Sequence, residues 1–278
     1  MRLSLSALLG KIEMSKGTAG RLQKATAAAV LLFLYLPIAI VVLLSFTPEQ
    51  SPTFPMPGLS LRWYESLIED QAFVNAIVFS SKLAVVSALG SGLIGLLAAF
   101  GLVRGDFGDT WLSEDFLRIL FSLPIIIPFI ITGIGGLVFF NFVGIYSSFS
   151  SLVVGHIMIT LPFTSLVIAS GLEGLDESLE EAARNLGATQ LRSYVEVTIP
   201  MIMPSIIAAL LFAFILSFNN FIQTFFWLSF TDQTLPVLIY GLVTRTYDPT
   251  LNAVGTVLIV LSLLITVTAE RISSRVLT

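Results

Sequence analysis

Few residues in this sequence could do bond-making chemistry. There is one histidine, His156, and no cysteine. Thiolate catalysis, cysteine-ligated zinc and disulfides are therefore excluded, and a lone histidine cannot build a metal site. No Asp or Glu lies near His156 in the sequence, so an intramembrane enzyme has neither a nucleophile–base pair nor a carboxylate pair to use. No G-x-x-x-x-G-K-[ST] phosphate loop occurs, so ATP is not hydrolysed on this chain. Two polar groupings stand out instead. One is Ser217-Phe218-Asn219-Asn220, followed by Gln223 and Thr224, in an otherwise uncharged stretch. On a helix, Asn220 shares a face with Gln223 and Thr224. The other is Asp176-Glu177-Ser178-Leu179-Glu180-Glu181-Ala182-Ala183-Arg184-Asn185-Leu186-Gly187.

The elements around these residues read as membrane helices. The chain is 55% hydrophobic and only 12% charged, against about 25% charged in soluble domains. Its apolar residues fall in long blocks, the pattern of spans across a ~30 Å hydrocarbon core. The expected fold is all-α and integral to the membrane, with a permease-like domain at residues 25–270. Six spans are expected, near residues 25–46, 77–103, 119–143, 152–171, 205–226 and 249–269. Gly144 to Ser148 is the natural turn between the third and fourth. The first block is followed by no small-x-small cleavage site, so it reads as a retained helix. Lys82 sits near a span end, where its side chain can reach the headgroups. Segments 1–24, 172–204 and 271–278, with the shorter inner turn, hold eleven Lys and Arg; the opposite side holds Arg62 and Arg245. That bias places both termini in the cytoplasm. The net charge of −4 gives no sign of a nucleic-acid partner.

The inner loop at 172–204 carries a short helix. Ser178-x-x-Glu181 has the form of a capping box, and Gly187 suits the position just past the helix end. Leu179, Ala182, Ala183 and Leu186 fall at i, i+3, i+4 and i+7 and make one apolar face. So short a helix is marginal in water and needs a surface to pack on. That surface is either the chain's own membrane helices or another protein. The amides Asn219, Asn220 and Gln223 admit two readings, a translocation path or interhelical hydrogen bonding. His156 reads first as a hydrogen-bonded packing residue, with a place on the path as the alternative. Pro124, Pro128 and Pro162 interrupt helices, and Gly133, Gly135 and Gly136 permit close helix contact.

Glu181-Ala182-Ala183, Gly187, Ile199-Pro200 and Pro204 together resemble the EAA loop of ABC importer permeases. Leu61-Arg62-Trp63-Tyr64, Asn75, Pro124, Pro128, His156, Pro162, Ser217-Phe218, Thr234-Leu235-Pro236 and Asn252-Ala253 are similar to the second permease of polyamine-type importers, so the likeness covers nearly the whole chain. The resemblance implies the type I importer fold with six spans and a cytoplasmic coupling helix. It implies coupling to the ATPase through Glu181, Ala182, Ala183, Leu186 and Gly187, and a path touching Phe218, Asn219, Asn220, Gln223 and His156. The implied partners are a cytosolic ATPase dimer that binds ATP and magnesium, a second permease (a sister chain), and an external solute-binding protein. The implied cargo is a small polar solute, polyamine-like or related. One departure stands out: polyamine permeases look acidic just after Ser-Phe, where this chain has two amides. An ion-coupled secondary transporter is the rival reading, but its ionisable midplane residues are almost absent here. A membrane scaffold would leave the coupling-type helix without a role.

Overall fold

The computed structural model describes residues 16–51, 53, 55–105, 113–228, 232–245 and 249–276. Of the expected flanking segments, residues 1–15 and 277–278 lie outside the described residues. All regular structure among the described residues is helical. In chain order the helices are α1 (Lys16–Leu44), α2 (Arg62–Glu69), α3 (Gln71–Arg104), α4 (Glu114–Ile126), α5 (Phe129–Phe142), α6 (Phe149–Glu173), α7 (Ser178–Asn185), α8 (Gln190–Met201), α9 (Met203–Phe218), α10 (Ile222–Trp227), α11 (Leu235–Arg245) and α12 (Thr250–Val276).

The chain divides into two compact units. One holds α1, the first residues of α2 and residues 249–257. Inside it Tyr64 and Ser45 share a hydroxyl hydrogen bond of 2.6 Å, and the Trp63 indole N–H donates to the Thr47 carbonyl at 2.6 Å. The apolar side chains of α1 from Val30 to Leu36 are all exposed. An exposed run that is apolar all round is one that lipid or another membrane helix covers.

The second unit is built on α3 and α6. Ser87, Ser91, Gly95 and Ala99 recur at every fourth residue of α3 and are all buried. They form a groove shallow enough for α6 to lie in. The Thr164 hydroxyl donates to the Ser91 carbonyl at 3.0 Å, and a Cβ on Gly95 would stand 2.5 Å from that hydroxyl oxygen. Small residues with cross-helix hydroxyl bonds are how helices associate when water supplies no drive. Helix α9 closes the layer, with Ala99, Ile168, Ala169, Leu172, Ile202 and Ala209 as one core cluster.

Helices α1 (over Gln23–Leu44), α3 and α6 are each long and apolar enough to cross a membrane. The continuous spans expected at 119–143 and 205–226 are broken instead. Between α4 and α5 the axis turns by 95°. Pro128 has no N–H to give, and it forces Ile127 into extended backbone (ψ 129°). Between α8 and α9 the turn is 69°, at Ile202 just before Pro204. That turn lies just ahead of residues 205–226, which are themselves broken after Phe218, where α9 ends; α10 begins at Ile222, four residues later. Counting each bent pair as one span gives up to five, and the apolar part of α12, Thr250–Leu264, is shorter than a span.

Candidate functional site

Helix α7 exists because both of its ends are capped. The expected capping box does not form: the N-cap is Glu177, whose side chain makes no capping bond. The Asp176 carboxylate instead accepts the Ser178 N–H at 2.9 Å. That bond holds the Asp176 carboxyl below the usual aspartate range. Sequence reading chose Ser178 because it fits the template, yet Asp176 reaches the same backbone from two residues upstream. At the other end the structure matches expectation. Gly187 has φ +93°, its N–H donates to the Arg184 carbonyl at 2.9 Å, and Ala188 N–H donates to the Ala183 carbonyl at 3.1 Å. Those two bonds define a Schellman stop.

The orientation of α7 is opposite to that of a helix packing on its own membrane domain. Leu186 is 90% exposed, and Leu179 and Ala182 are exposed too, with Ala183 half-buried. The exposed Leu191 and Val195 of α8 extend the apolar surface. Glu181 is exposed, and its carboxylate has no partner among the described residues. The side chain turned inward is Glu180, a residue that helical periodicity had left on the solvent side. Its side chain is 8% exposed and accepts from Arg104 Nε at 3.3 Å and from the Thr198 hydroxyl at 3.0 Å. Ser193 donates to the Glu180 carbonyl at 3.3 Å. Arg104, the last residue of α3, also bonds Glu177 at 2.9 Å. Breaking a buried pair of this kind costs about 3–5 kcal/mol. The exposed Arg192–Glu196 pair on α8 contributes about 0.3–0.5 kcal/mol. Anchorage of α7 therefore rests on Glu180 and Arg104.

The second grouping surrounds the break between α9 and α10. His156 on α6 is fully buried. Its Nδ1 lies 2.7 Å from the Ser217 hydroxyl and its Nε2 lies 3.0 Å from the Thr224 hydroxyl. Thr224 must donate to the Asn220 oxygens at 2.9 Å, because a carbonyl cannot donate. Thr224 then accepts from His156, which assigns the proton to Nε2 and makes Nδ1 the acceptor for Ser217. Asn220 also accepts the Thr224 N–H at 3.2 Å and donates to Gln223, while Gln223 donates to the Thr132 hydroxyl on α5 at 3.0 Å. So Asn220, Gln223 and His156 are spent on joining α5, α6, α9 and α10 across the break. Each such bond in a membrane protein is worth about 0.6 kcal/mol, so the network fixes geometry more than it supplies stability.

Trp227, which sequence reading passed over, locks the same junction. Its N–H donates to the Gly133 carbonyl at 2.8 Å, and a Cβ on Gly136 or Gly155 would meet its ring within 2.5 Å. Gly135, expected to be part of the contact, faces open space. Asn219 and Phe218 behave differently from their neighbours. Asn219 is exposed, its amide has no partner among the described residues, and it borders two clefts of about 440 and 180 Å³. Phe129, Phe163 and Phe221 line the larger together with the network residues Asn220 and Gln223, and Phe214 and Phe218 line the smaller. Among the described residues, no group of acidic, histidine or cysteine side chains could hold a metal ion.

Comparison with known proteins agrees with this geometry. Residues 91–278 match the family described as "Binding-protein-dependent transport system inner membrane component". The chain is 34% identical over 233 residues to the putrescine transport system permease protein PotI of Escherichia coli strain K12, covering 82% of each chain. It is 32% identical over 246 residues to the spermidine/putrescine transport system permease protein PotC of the same strain, covering 88% of this chain and 91% of PotC. Its fold matches a chain of a bacterial ABC transporter involved in the import of alginate, with a TM-score of 0.72 at 18% identity over 92% of this chain and 95% of the other. The chain therefore belongs to the family of binding-protein-dependent transport system inner membrane components.

Proposed function

We propose that this chain is one of two permease subunits of an ATP-driven importer that moves a small polar solute delivered by an external binding protein. The observation that carries the reading is α7: a capped helix that turns Leu179, Ala182 and Leu186 to the outside while Glu180 holds it to the membrane domain. A cytosolic ATPase dimer, which would bind the ATP and magnesium, supplies the missing surface. Glu181, Ala182, Ala183, Leu186 and Gly187 meet it. With α7 inside, six crossings put both termini in the cytoplasm, with α12 as the last crossing. The second permease is a sister chain that covers part of the membrane surface left open here.

ATP binding draws the ATPases together and α7 moves with them. The breaks at Ile127, Ile202 and Asn219 are where the spans bend as access alternates. Of the path candidates, Phe218 and Asn219 meet the solute, while Asn220, Gln223 and His156 hold the break in shape. Asn219 offers a dipole and no charge among aromatic faces. The relatives act on polyamines by name, and a polyamine-like or related organic solute fits a site whose selectivity lies partly in the binding protein.

The test is uptake by vesicles containing the complete complex, with its binding protein and labelled putrescine as the first solute. ATP-dependent uptake that survives collapse of ion gradients supports the reading. Uptake that needs no ATP and stops on addition of an ionophore overturns it in favour of ion coupling.

A further inference from the structure

Arg104 stands where three elements of the second unit meet. It ends α3, and α3 is the helix that packs along the whole of α6 through the small-residue groove described above. Its side chain is 9% exposed, and its guanidinium forks between Glu177 Oε1 and Glu180 Oε1. A third nitrogen approaches the Leu172 carbonyl at the end of α6, at 3.5 Å. Glu180 passes the connection on to α8 through Thr198 and Ser193. The remainder of α7 offers little else to hold it. Its apolar side chains Leu179 and Leu186 face outward, and α8 meets α3 nearby through Tyr194 against Phe100, with ring centroids 4.7 Å apart.

We propose that the buried Arg104–Glu180 pair is the rigid link that makes α3 follow α7, so that Arg104 is a positioning residue for transport coupling. This rests on the reading of α7 as the ATPase-docking helix. The physical reason is stiffness. Apolar contacts slide with small loss, whereas a desolvated guanidinium cannot leave its carboxylate without stranding two charges in a poorly solvated site. A displacement imposed on α7 is therefore delivered to α3 as a whole and, through the groove, to α6. The cleft of about 240 Å³ beside the pair, lined by Arg104, Glu177, Glu180 and Arg184, admits water to its outer side. The exposed docking side chains Leu179 and Leu186 point away from Glu180, so the link can be cut without altering them.

The chain has no cysteine, so a pair introduced at Asn185 on α7 and Leu97 on α3 carries spin labels at those positions alone. The full complex is purified with its own ATPase and the inter-label distance is read with and without a non-hydrolysable ATP analogue and magnesium. In the otherwise unaltered chain and in Arg104→Lys, which keeps the charge, the distance is expected to stay single and unchanged on nucleotide addition. In Arg104→Ala and in the isosteric Glu180→Gln it is expected to broaden or shift by several ångströms with nucleotide, while the amount of co-purifying ATPase stays within twofold. Glu180→Gln guards against a folding defect, since it keeps the side-chain volume and the Thr198 bond. An unchanged distance in both cut variants overturns the link. Absence of any ATPase from the unaltered preparation overturns the reading of α7 itself, which is a separate result.

Discussion

At the scale of single residues, glycines decide the most. Gly187 has φ +93° and no atom near enough to meet an added Cβ, so an alanine there costs only backbone strain, about 1–2 kcal/mol. Asparagine tolerates that conformation. Gly187→Asn is expected to restore the thermal stability that Gly187→Ala loses, measured by melting of the detergent-purified chain. If both variants also fail to retain ATPase, the glycine is needed for the partner's close approach as well as for the turn. Gly135 and Gly136 make a second contrast. Gly136→Ala drives a Cβ to 2.5 Å from Trp227 and is expected to destabilise by about 1–3 kcal/mol. Gly135→Ala meets nothing within 4 Å and is expected to be neutral or slightly stabilising, by up to about 1 kcal/mol. Equal melting points for the two would contradict the Trp227 lock. Sequence reading found the glycines as a group but could not separate them, because which one faces Trp227 depends on the 95° bend before α5.

At the scale of elements, α7 and the α9–α10 break carry the expectations. The Asp176 carboxylate is stabilised in its charged form by the Ser178 N–H. Its folded pKa lies below the ordinary value, so its contribution is present above that value and lost as pH falls through the folded one. Amides of α7 are expected to exchange faster in Asp176→Asn than in the unaltered chain at neutral pH. The difference should vanish in acid below the aspartate range. No difference at neutral pH would mean that the carboxylate charge adds nothing to the cap, since asparagine keeps the acceptor oxygen. At the break, Asn220→Ala leaves the Thr224 N–H without its acceptor, while the Thr224 hydroxyl keeps the Asn220 backbone carbonyl, and should cost about 1–3 kcal/mol. Asn219→Ala should stay within about 0.5 kcal/mol yet alter uptake. The reverse pattern of melting points would exchange the roles given to the two amides. The presence of α7, its stop at Gly187 and the turn at 144–148 were legible because local chemistry writes them. The inward turn of Glu180 was not, because it depends on Arg104, 76 residues away in sequence.

At the scale of the whole molecule, hydropathy located the apolar blocks; Pro128 marked one interruption in the sequence, but the bend before Pro204 was not foreseen. Window averages are insensitive to Pro128 and Pro204, each of which redirects a helix within a uniformly apolar run. The positive-inside bias supplies the orientation expected for those blocks. Single cysteines in this cysteine-free chain test it: Leu186→Cys is expected to react with an impermeant reagent only from the cytoplasmic side, and Leu59→Cys only from outside. Labelling of both from one side would contradict the topology. The central claim, that α7 docks an ATPase, is tested most directly by mild-detergent pull-down of the tagged chain from its native membrane, with quantitative mass spectrometry. The account predicts a Walker-motif ATPase in near-equal amount to the permeases, together with a second permease. It also predicts loss of that ATPase by tenfold or more in Leu186→Ser, whose side chain is 90% exposed and whose replacement leaves the melting point unchanged. Recovery of the chain alone, under conditions that keep other membrane complexes intact, or undiminished ATPase in Leu186→Ser and Gly187→Ala, would contradict it.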